Sequence, residues 1–446
     1  MRLEIGNEAT LFAAPGPLLA RLRQDLTFAN PQYQQARRYG RWIGKNLSPT
    51  LAFYREANGA FCFPRGYAGT AVRLCREMTG ELPEIDDRRR LLPEIDLRFC
   101  GELRPYQAIA CERLLRRDFG VLEAGTGSGK TVMALAVIAA RRQPALVLVH
   151  TKELFYQWAE RIQRFLHVEP GMVGDGRRSL APVTVGIVNS VRRRLAELVP
   201  CFGLLCVDEC HRVPASLFTE VVTAFDCRYS LGLSATVFRR DGLDALIEHY
   251  LGRRVHRVDA DHLYQSGAVL RPRYLVHTTG FRSRYQGDYQ ALIKRLVTDE
   301  ARNRQIAADV AAAAAAGAGG ILVASDRVAH CRTLADMIAK NGLGVSVLTG
   351  RQPAEIRRRI IDDLHQGNVR ILVATMQLIG EGFDCPGLDT LFLTTPIRFT
   401  GRLQQVVGRI LRPAPGKTAT VHDYHDPVPL LRRSALQRQR FFLAAP

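Results

Sequence analysis

AGTGSGKT, residues Ala124–Thr131, follows an apolar run at Val121–Leu122 and precedes the helical run VMALAVIAA. Glycines 125, 127 and 129, with Thr126 and Ser128 between them, let the backbone turn its N–H groups inward around phosphate oxygens. The positive N-terminal end of the following helix adds to the attraction. Gly125, Gly129, Lys130 and Thr131 meet the pattern GxxxxGK[ST]. In that pattern Lys130 reaches the β and γ phosphates, and the Thr131 hydroxyl completes a Mg2+ shell. The string is short enough to arise by chance, but its strand–loop–helix setting removes most accidents. Only six residues of the chain are lysine, and one of them stands where this loop needs an ammonium.

Some eighty residues on, LLCVDECH (Leu204–His211) sends an apolar strand into two acids. After such a strand in a phosphate-loop protein, the first acid, Asp208, holds Mg2+ through water, and Glu209 is placed to orient the attacking water. A DE pair alone is an ordinary solvated turn. Coupled to the loop, it reads as a nucleoside triphosphatase, with a kinase or other group transferase as the alternative only if Glu209 serves another purpose.

The surrounding pattern sets the fold class as α/β. Short apolar runs at Leu146–His150, Val183–Val188, Leu204–Glu209 and Tyr229–Ala235 alternate with helix-length segments, which predicts βαβ units and a parallel sheet. A second series begins near residue 319 with GILVAS and continues through VSVLTG, VRILVAT, TLFLTT and TATVHDY. Residues 252–298 carry a weaker pattern, and the alanine run 311–316 reads as the inner part of a helix. The reading is two tandem α/β lobes, residues 99–255 and 256–446, preceded by a small accessory domain over 1–98. For 446 residues, at roughly 100 to 200 per domain, a count of two or three is expected.

The composition is 47% hydrophobic and 24% charged, which excludes wholesale disorder. Apolar stretches fall short of the ~20 residues that cross a bilayer, and no apolar export core is read at the N-terminus, so a cytoplasmic protein without membrane association is expected. Lys plus Arg number 62 against 43 Asp plus Glu, a formal charge of +19. That sign suggests a polyanionic partner, because cations placed at phosphates release condensed counterions; the heavy excess of Arg over Lys is equally a mark of codon bias. Cys201, Cys206, Cys210, His211 and Cys227 lie near one another, yet FGLLCV places cysteine among apolar neighbours, where it acts as a small hydrophobe, so reduced thiols are expected.

Within 1–98, Tyr33, Tyr39 and Trp42 are interleaved with Arg37, Arg38 and Arg41. Two readings stand: a surface that grips a nucleic-acid backbone while a ring stacks on a base, or a helix whose rings face the core and whose arginines face water. The domain is accordingly read as DNA-binding or partner-binding. Arg192–Leu195, Arg271–Arg273, Phe281–Tyr285 and Arg432–Phe442 are further basic segments, read as channel lining or as solvated faces.

In order and content these motifs resemble the superfamily 2 helicases and translocases, with Asp208-Glu209-Cys210-His211 as a DExH-type box. LRPYQ (Leu103–Gln107) lies ahead of the loop as in XPB-like and UvsW-like helicases and restriction-enzyme motor subunits, and the resemblance implies that Gln107 helps recognise adenine. By the same resemblance, LVLVHTKELFYQW places Thr151 and Lys152 against a nucleic-acid backbone. GLSAT links nucleotide state to strand contact through Ser234 and Thr236. ILVATMQLIGEGFDCP lines the interlobe and strand surfaces with Thr375, Gly380, Glu381, Gly382 and Asp384, the last two also bearing on the nucleotide. QQVVGRILRP fits QxxGRxxR through Gln404, Gly408, Arg409 and Arg412. The likeness covers about residues 99–425.

It implies two RecA-like lobes, ATP and Mg2+ as cofactors, and an ATP-dependent DNA helicase or translocase in repair, recombination or phage defence. Catalysis would fall to Lys130, Asp208, Glu209, Gln404, Arg409 and Arg412, with closure of the lobes bringing in the two arginines. Their i, i+3 spacing puts both on one face of the helix suggested by RLQQVVGRIL. DNA, whether single-stranded, forked or duplex, is the expected partner. An RNA helicase, and a motor subunit working with a separate nuclease, are the alternatives.

Overall fold

The computed structural model describes residues 1–446 apart from 39, 41, 43–46, 212–214, 236–242, 286, 381–386, 398–399 and 444–446. The backbone divides into two compact units, Met1–Ala124 with Gly129–Arg257, and Gly125–Ser128 with Val258–Pro446.

The first unit holds a five-stranded sheet, an eight-stranded sheet and a small antiparallel pair, Thr27–Ala29 with Thr50–Ala52. Strands Arg55–Ala57, Ala60–Pro64, Glu8–Phe12, Arg2–Ile5 and Glu84–Asp87 lie in that order, antiparallel except for the last pair. Alternation decides their inner face: Leu3 and Ile5, then Ala9 and Leu11, turn toward Leu18 and Leu22 of helix Gly16–Asp25 and Ala71, Leu74 and Cys75 of helix Ala68–Thr79. Helix Pro31–Arg38 lies apart from this core. None of its described side chains is buried; Tyr33 is half-buried, and Trp42 is 87% exposed, so the Trp42 ring does not face inward. Tyr39 and Arg41 lie outside the described residues.

The larger sheet runs Arg177–Ser179, Gly171–Gly174, Val183–Ile187, Ala145–Val149, Leu204–Val207, Tyr229–Ser234, Phe119–Ala124, Arg254–Val258. From Gly171–Gly174 to Phe119–Ala124 every neighbour pair is parallel. Central strands are apolar on both faces, as burial by helices on each side requires. Cys206, Cys210 and Cys227 are buried here, the Cys227 thiol donating to the Phe202 carbonyl at 3.1 Å. The hairpin Gly171–Ser179 was not read from the sequence.

The small domain is locked to this sheet by buried charge. Guanidiniums of Arg65 and Arg89 sit over the Phe119 ring at 5.1 and 4.7 Å. Arg89 pairs with Asp87 and Asp118 at 2.6 and 2.9 Å, Arg228 pairs with the same two carboxylates at 2.7 and 3.0 Å, and Arg65 donates to the Cys227 carbonyl at 2.9 Å. His249 packs on Tyr67 and Phe28. Gly66 makes the tightest approach: a Cβ there would lie 2.6 Å from the backbone of both Gly252 and His249. Backbone cannot yield as a side chain does, so Gly66→Ala is expected to cost about 1–3 kcal/mol as overpacking. The measurements are the thermal midpoint and limited proteolysis at the 88–98 connection; unchanged values for both would contradict this packing.

The second unit is one parallel sheet ordered Arg273–Thr278, Thr420–His425, Leu388–Leu393, Gly320–Ser325, Ile371–Thr375, Val345–Leu348. Its edge strand Arg273–Thr278 falls in the segment whose pattern was weak, because only partial burial shapes its composition. Helix Glu300–Ala315 contains most of the alanine run, at its C-terminal end and half-exposed, not in its interior. Helix Val328–Lys340 completes the packing around Ile321, Val323 and Val373.

Candidate nucleotide-binding site

Strand Phe119–Ala124 runs into the glycine loop, and helix Lys130–Arg141 leaves it. Gly127 and Gly129 have φ of +89° and +79°, which glycine adopts without steric cost. Ser128 is fully buried; its hydroxyl donates to the Gly125 carbonyl at 2.7 Å and closes the turn. Lys130 Nζ donates to the Ala124 carbonyl at 2.9 Å, so the ammonium folds back along its own loop. Thr131 is half-buried in the first helical turn. Gln107 lies beside the loop: its Nε2 would be 2.4 Å from any Cβ at position 129, while its Oε1 accepts the Arg104 N–H at 2.9 Å and caps helix Pro105–Leu115.

The acidic pair leaves the sheet at strand Leu204–Val207, between Ala145–Val149 and Tyr229–Ser234. Asp208 N–H still bonds the Leu148 carbonyl, and Cys210 N–H bonds that of Leu233, both at 3.0 Å. Between them Glu209 has φ +47°, a strained conformation for a residue with a Cβ, held by the ladder bonds on either side. Asp208 is 6% exposed, with Oδ2 accepting the Trp158 indole N–H at 2.8 Å and Oδ1 accepting Glu209 N–H at 2.9 Å. Burial pushes its carboxyl up to about 6, and the neighbouring Glu209 charge adds to the rise; Trp158 and Lys130 oppose it.

Glu209 is shared. One oxygen is 3.9 Å from Lys130 Nζ and the other 3.4 Å from His211 Nδ1, which is itself 2.9 Å from the fully buried Ser234 hydroxyl. Loop lysine, acidic pair and the end of strand Tyr229–Ser234 therefore form one connected group. Trp158 and His211 had no assigned role in the sequence reading; a tryptophan seven residues after Thr151 shows nothing of a partner fifty residues on. The donor set fits a hard divalent cation, which takes oxygen ligands and would offset both the burial and the Glu209 charge that raise Asp208.

Comparison with known proteins bears on the two lobes that carry these residues. Residues 101–239 match the family described as type III restriction enzyme, res subunit, and residues 308–414 match the helicase conserved C-terminal domain. The DNA 3'-5' translocase XPB2 of Sulfurisphaera tokodaii is 28% identical over 347 residues, covering 70% of this chain and 79% of that protein. The chain carries both motor domains of a superfamily 2 helicase. It is therefore an ATP-hydrolysing enzyme. A protein of Escherichia phage T5 described as a probable helicase is 26% identical over 341 residues, covering 75% and 73% of the two chains. Among solved structures, a fragment described as an HsdR subunit of a type I restriction enzyme from Vibrio vulnificus has a TM-score of 0.58 at 18% identity, over 77% of this chain and 66% of that one, a likeness of fold.

The other motif residues of this helicase occupy varied settings. Thr151 caps helix Lys152–Leu166, its hydroxyl accepting the Leu154 N–H at 3.2 Å. Lys152 pairs with Asp175. Thr375 ends strand Ile371–Thr375. Gln404 lies in helix Thr400–Val407, its Oε1 buried and without a hydrogen-bond partner among the described residues. The expectation that Arg409 and Arg412 share a helix face fails. The helix ends at Val407, and Arg409 and Ile410 N–H groups bond the carbonyls of Val406 and Val407 at 3.2 and 3.0 Å in a tightened turn. Gly408 is a poor helix former, and the chain then leaves so that the Leu411 carbonyl can accept Leu270 N–H at 2.7 Å. Arg409 is 9% exposed and donates to the Ile379 carbonyl at 3.0 Å. Thr236, Glu381, Gly382 and Asp384 lie outside the described residues.

Proposed function

We propose that this helicase couples ATP hydrolysis to movement along DNA, or to its unwinding. The observation that carries the hydrolytic part is Glu209 placed between Lys130 and His211, with His211 on Ser234. Charge develops on the oxygens of the transferring phosphoryl group, so fixed cations at that point lower the barrier more than they favour substrate. Lys130, now bonded to the Ala124 carbonyl, supplies one such cation, and the Gly125–Gly129 amides supply dipoles. Glu209 orients and accepts a proton from the attacking water. Gln107 recognises the base. Thr131 and Asp208 would hold Mg2+, whose contribution when bound is to neutralise phosphate charge. Gln404, Arg409 and Arg412 contribute further positive charge and hydrogen bonds to the same reaction. His211 and Ser234 pass the state of Glu209 to the following Thr236, and Thr151, Lys152 and Thr375 hold the strand.

DNA as the track is supported by the net charge of +19 and by the named activity of the archaeal translocase. The test is ATP turnover by the purified chain with single-stranded, forked and duplex DNA and with RNA. Turnover several-fold faster with DNA than with RNA is expected; turnover indifferent to every polynucleotide would refute the proposal.

The match of residues 101–239 to a restriction res subunit favours a second reading, a motor that works with a separate nuclease. Co-purification with a nuclease, or turnover only on its addition, is the outcome that would favour it. No described helix is long and apolar enough to cross a membrane.

A further inference from the structure

The hairpin at the edge of the larger sheet carries a feature that ATP hydrolysis leaves unused. Strands Gly171–Gly174 and Arg177–Ser179 are joined by Asp175 and Gly176, with φ of +49° and +80°. Every residue of Arg177–Ser179 is exposed. The turn brings the Asp175 carboxylate onto the first turn of helix Lys152–Leu166, where one oxygen takes Lys152 Nζ and the other accepts the Tyr156 hydroxyl at 2.8 Å. The Arg177 guanidinium stands 5.7 Å from the centre of the Tyr156 ring. Lys152 and Tyr156 remain open to solvent, at 65% and 40%.

A carboxylate with its two oxygens on an ammonium and a phenol presents the same pair of acceptors as a phosphodiester with its two free oxygens. The same donors serve either anion. Exposed ion pairs of this kind contribute little to folding, so exchange costs the fold little. A strand phosphate brings the counterion release that Asp175 lacks. Arg177 and Arg178 lie beside it on the exposed strand, and the Tyr156 ring offers a face for stacking.

We propose that Lys152, Tyr156 and the Arg177-Arg178 strand form a binding site for the backbone of single-stranded DNA, and that Asp175 is its built-in counter-ion, occupying the site until a phosphate displaces it. This rests on the reading of the chain as a DNA motor, and adds Tyr156, Asp175 and the hairpin to the expected Lys152.

The test removes the carboxylate while keeping the turn, since asparagine tolerates positive φ better than most residues. Binding of a fluorescent oligo-dT is titrated against salt for wild type, Asp175→Asn, Lys152→Ala and the double variant, with thermal midpoints to confirm folding. Freeing one more cation steepens the slope of log K against log salt by about 0.7, which at 0.1 M salt is about 5-fold tighter binding for Asp175→Asn. The gain should vanish when Lys152 is alanine. Glu169→Gln, which removes a carboxylate bonded to Gln163 and not to Lys152, should bind as wild type does. Wild type that binds while Asp175→Asn binds no tighter overturns this inference alone, as does a gain that survives Lys152→Ala. A wild-type chain that binds no DNA overturns the motor reading as well.

Discussion

Lys130→Ala is expected to lower the ATP turnover number by at least about 10^2 to 10^3, the loss that follows when a fixed donor to developing negative charge is removed. The side chain is held by the Ala124 carbonyl at 2.9 Å and stands 3.9 Å from Glu209, so nothing else in the described loop replaces its charge. Alanine at this position sits in the first helical turn, where it is a good helix former, and the fold should persist. Thermal unfolding close to wild type together with lost turnover is the predicted pair of results. Near-normal turnover by the pure variant would remove the basis for placing phosphate at this loop.

Glu209→Gln tests the other half of the site and should reduce turnover by about 10^2 to 10^4, the range for loss of a positioned general base. Glutamine keeps the size and the strained backbone position but cannot accept a proton. Nucleotide affinity should therefore survive, and it should tighten slightly, because the carboxylate beside Asp208 raises the local negative charge that a triphosphate must meet. Measuring turnover alongside binding of a fluorescent ATP analogue separates the two effects. If turnover and binding fall together, Glu209 acts on binding and its role as base is lost.

Both experiments concern residues visible in the primary structure. The loop was legible because its requirement is local: five consecutive residues, two with positive φ, followed by a lysine and a hydroxyl in the next helical turn. The parallel sheets were legible because central strands buried on both faces must be apolar throughout, as Ala145–Val149 is and as Ile371–Thr375 is up to its terminal threonine. Edge strands escape that rule. Arg273–Thr278 and the Arg177–Ser179 hairpin strand carry polar residues, and their pairing is decided by what lies beside them. The end of the helix at Val407 was misread for a related reason: QQVVGRIL keeps helical spacing, but the Leu411 carbonyl is claimed by Leu270, well over a hundred residues earlier.

Sequence alone thus determined the fold class, through strands apolar on both faces, and the strand–loop–helix turn of the glycine loop, whose local backbone geometry dictates residue type. Only the tertiary structure decided that Trp158 holds Asp208, that His211 links Glu209 to Ser234, that Asp175 covers Lys152, and that Arg65 and Arg89 clasp Phe119. Those contacts join residues separated by up to about fifty positions or occur where several side chains compete for one partner. Their outcome depends on where packing of the two sheets' apolar faces has already put each strand end, and that is a property of the assembled chain.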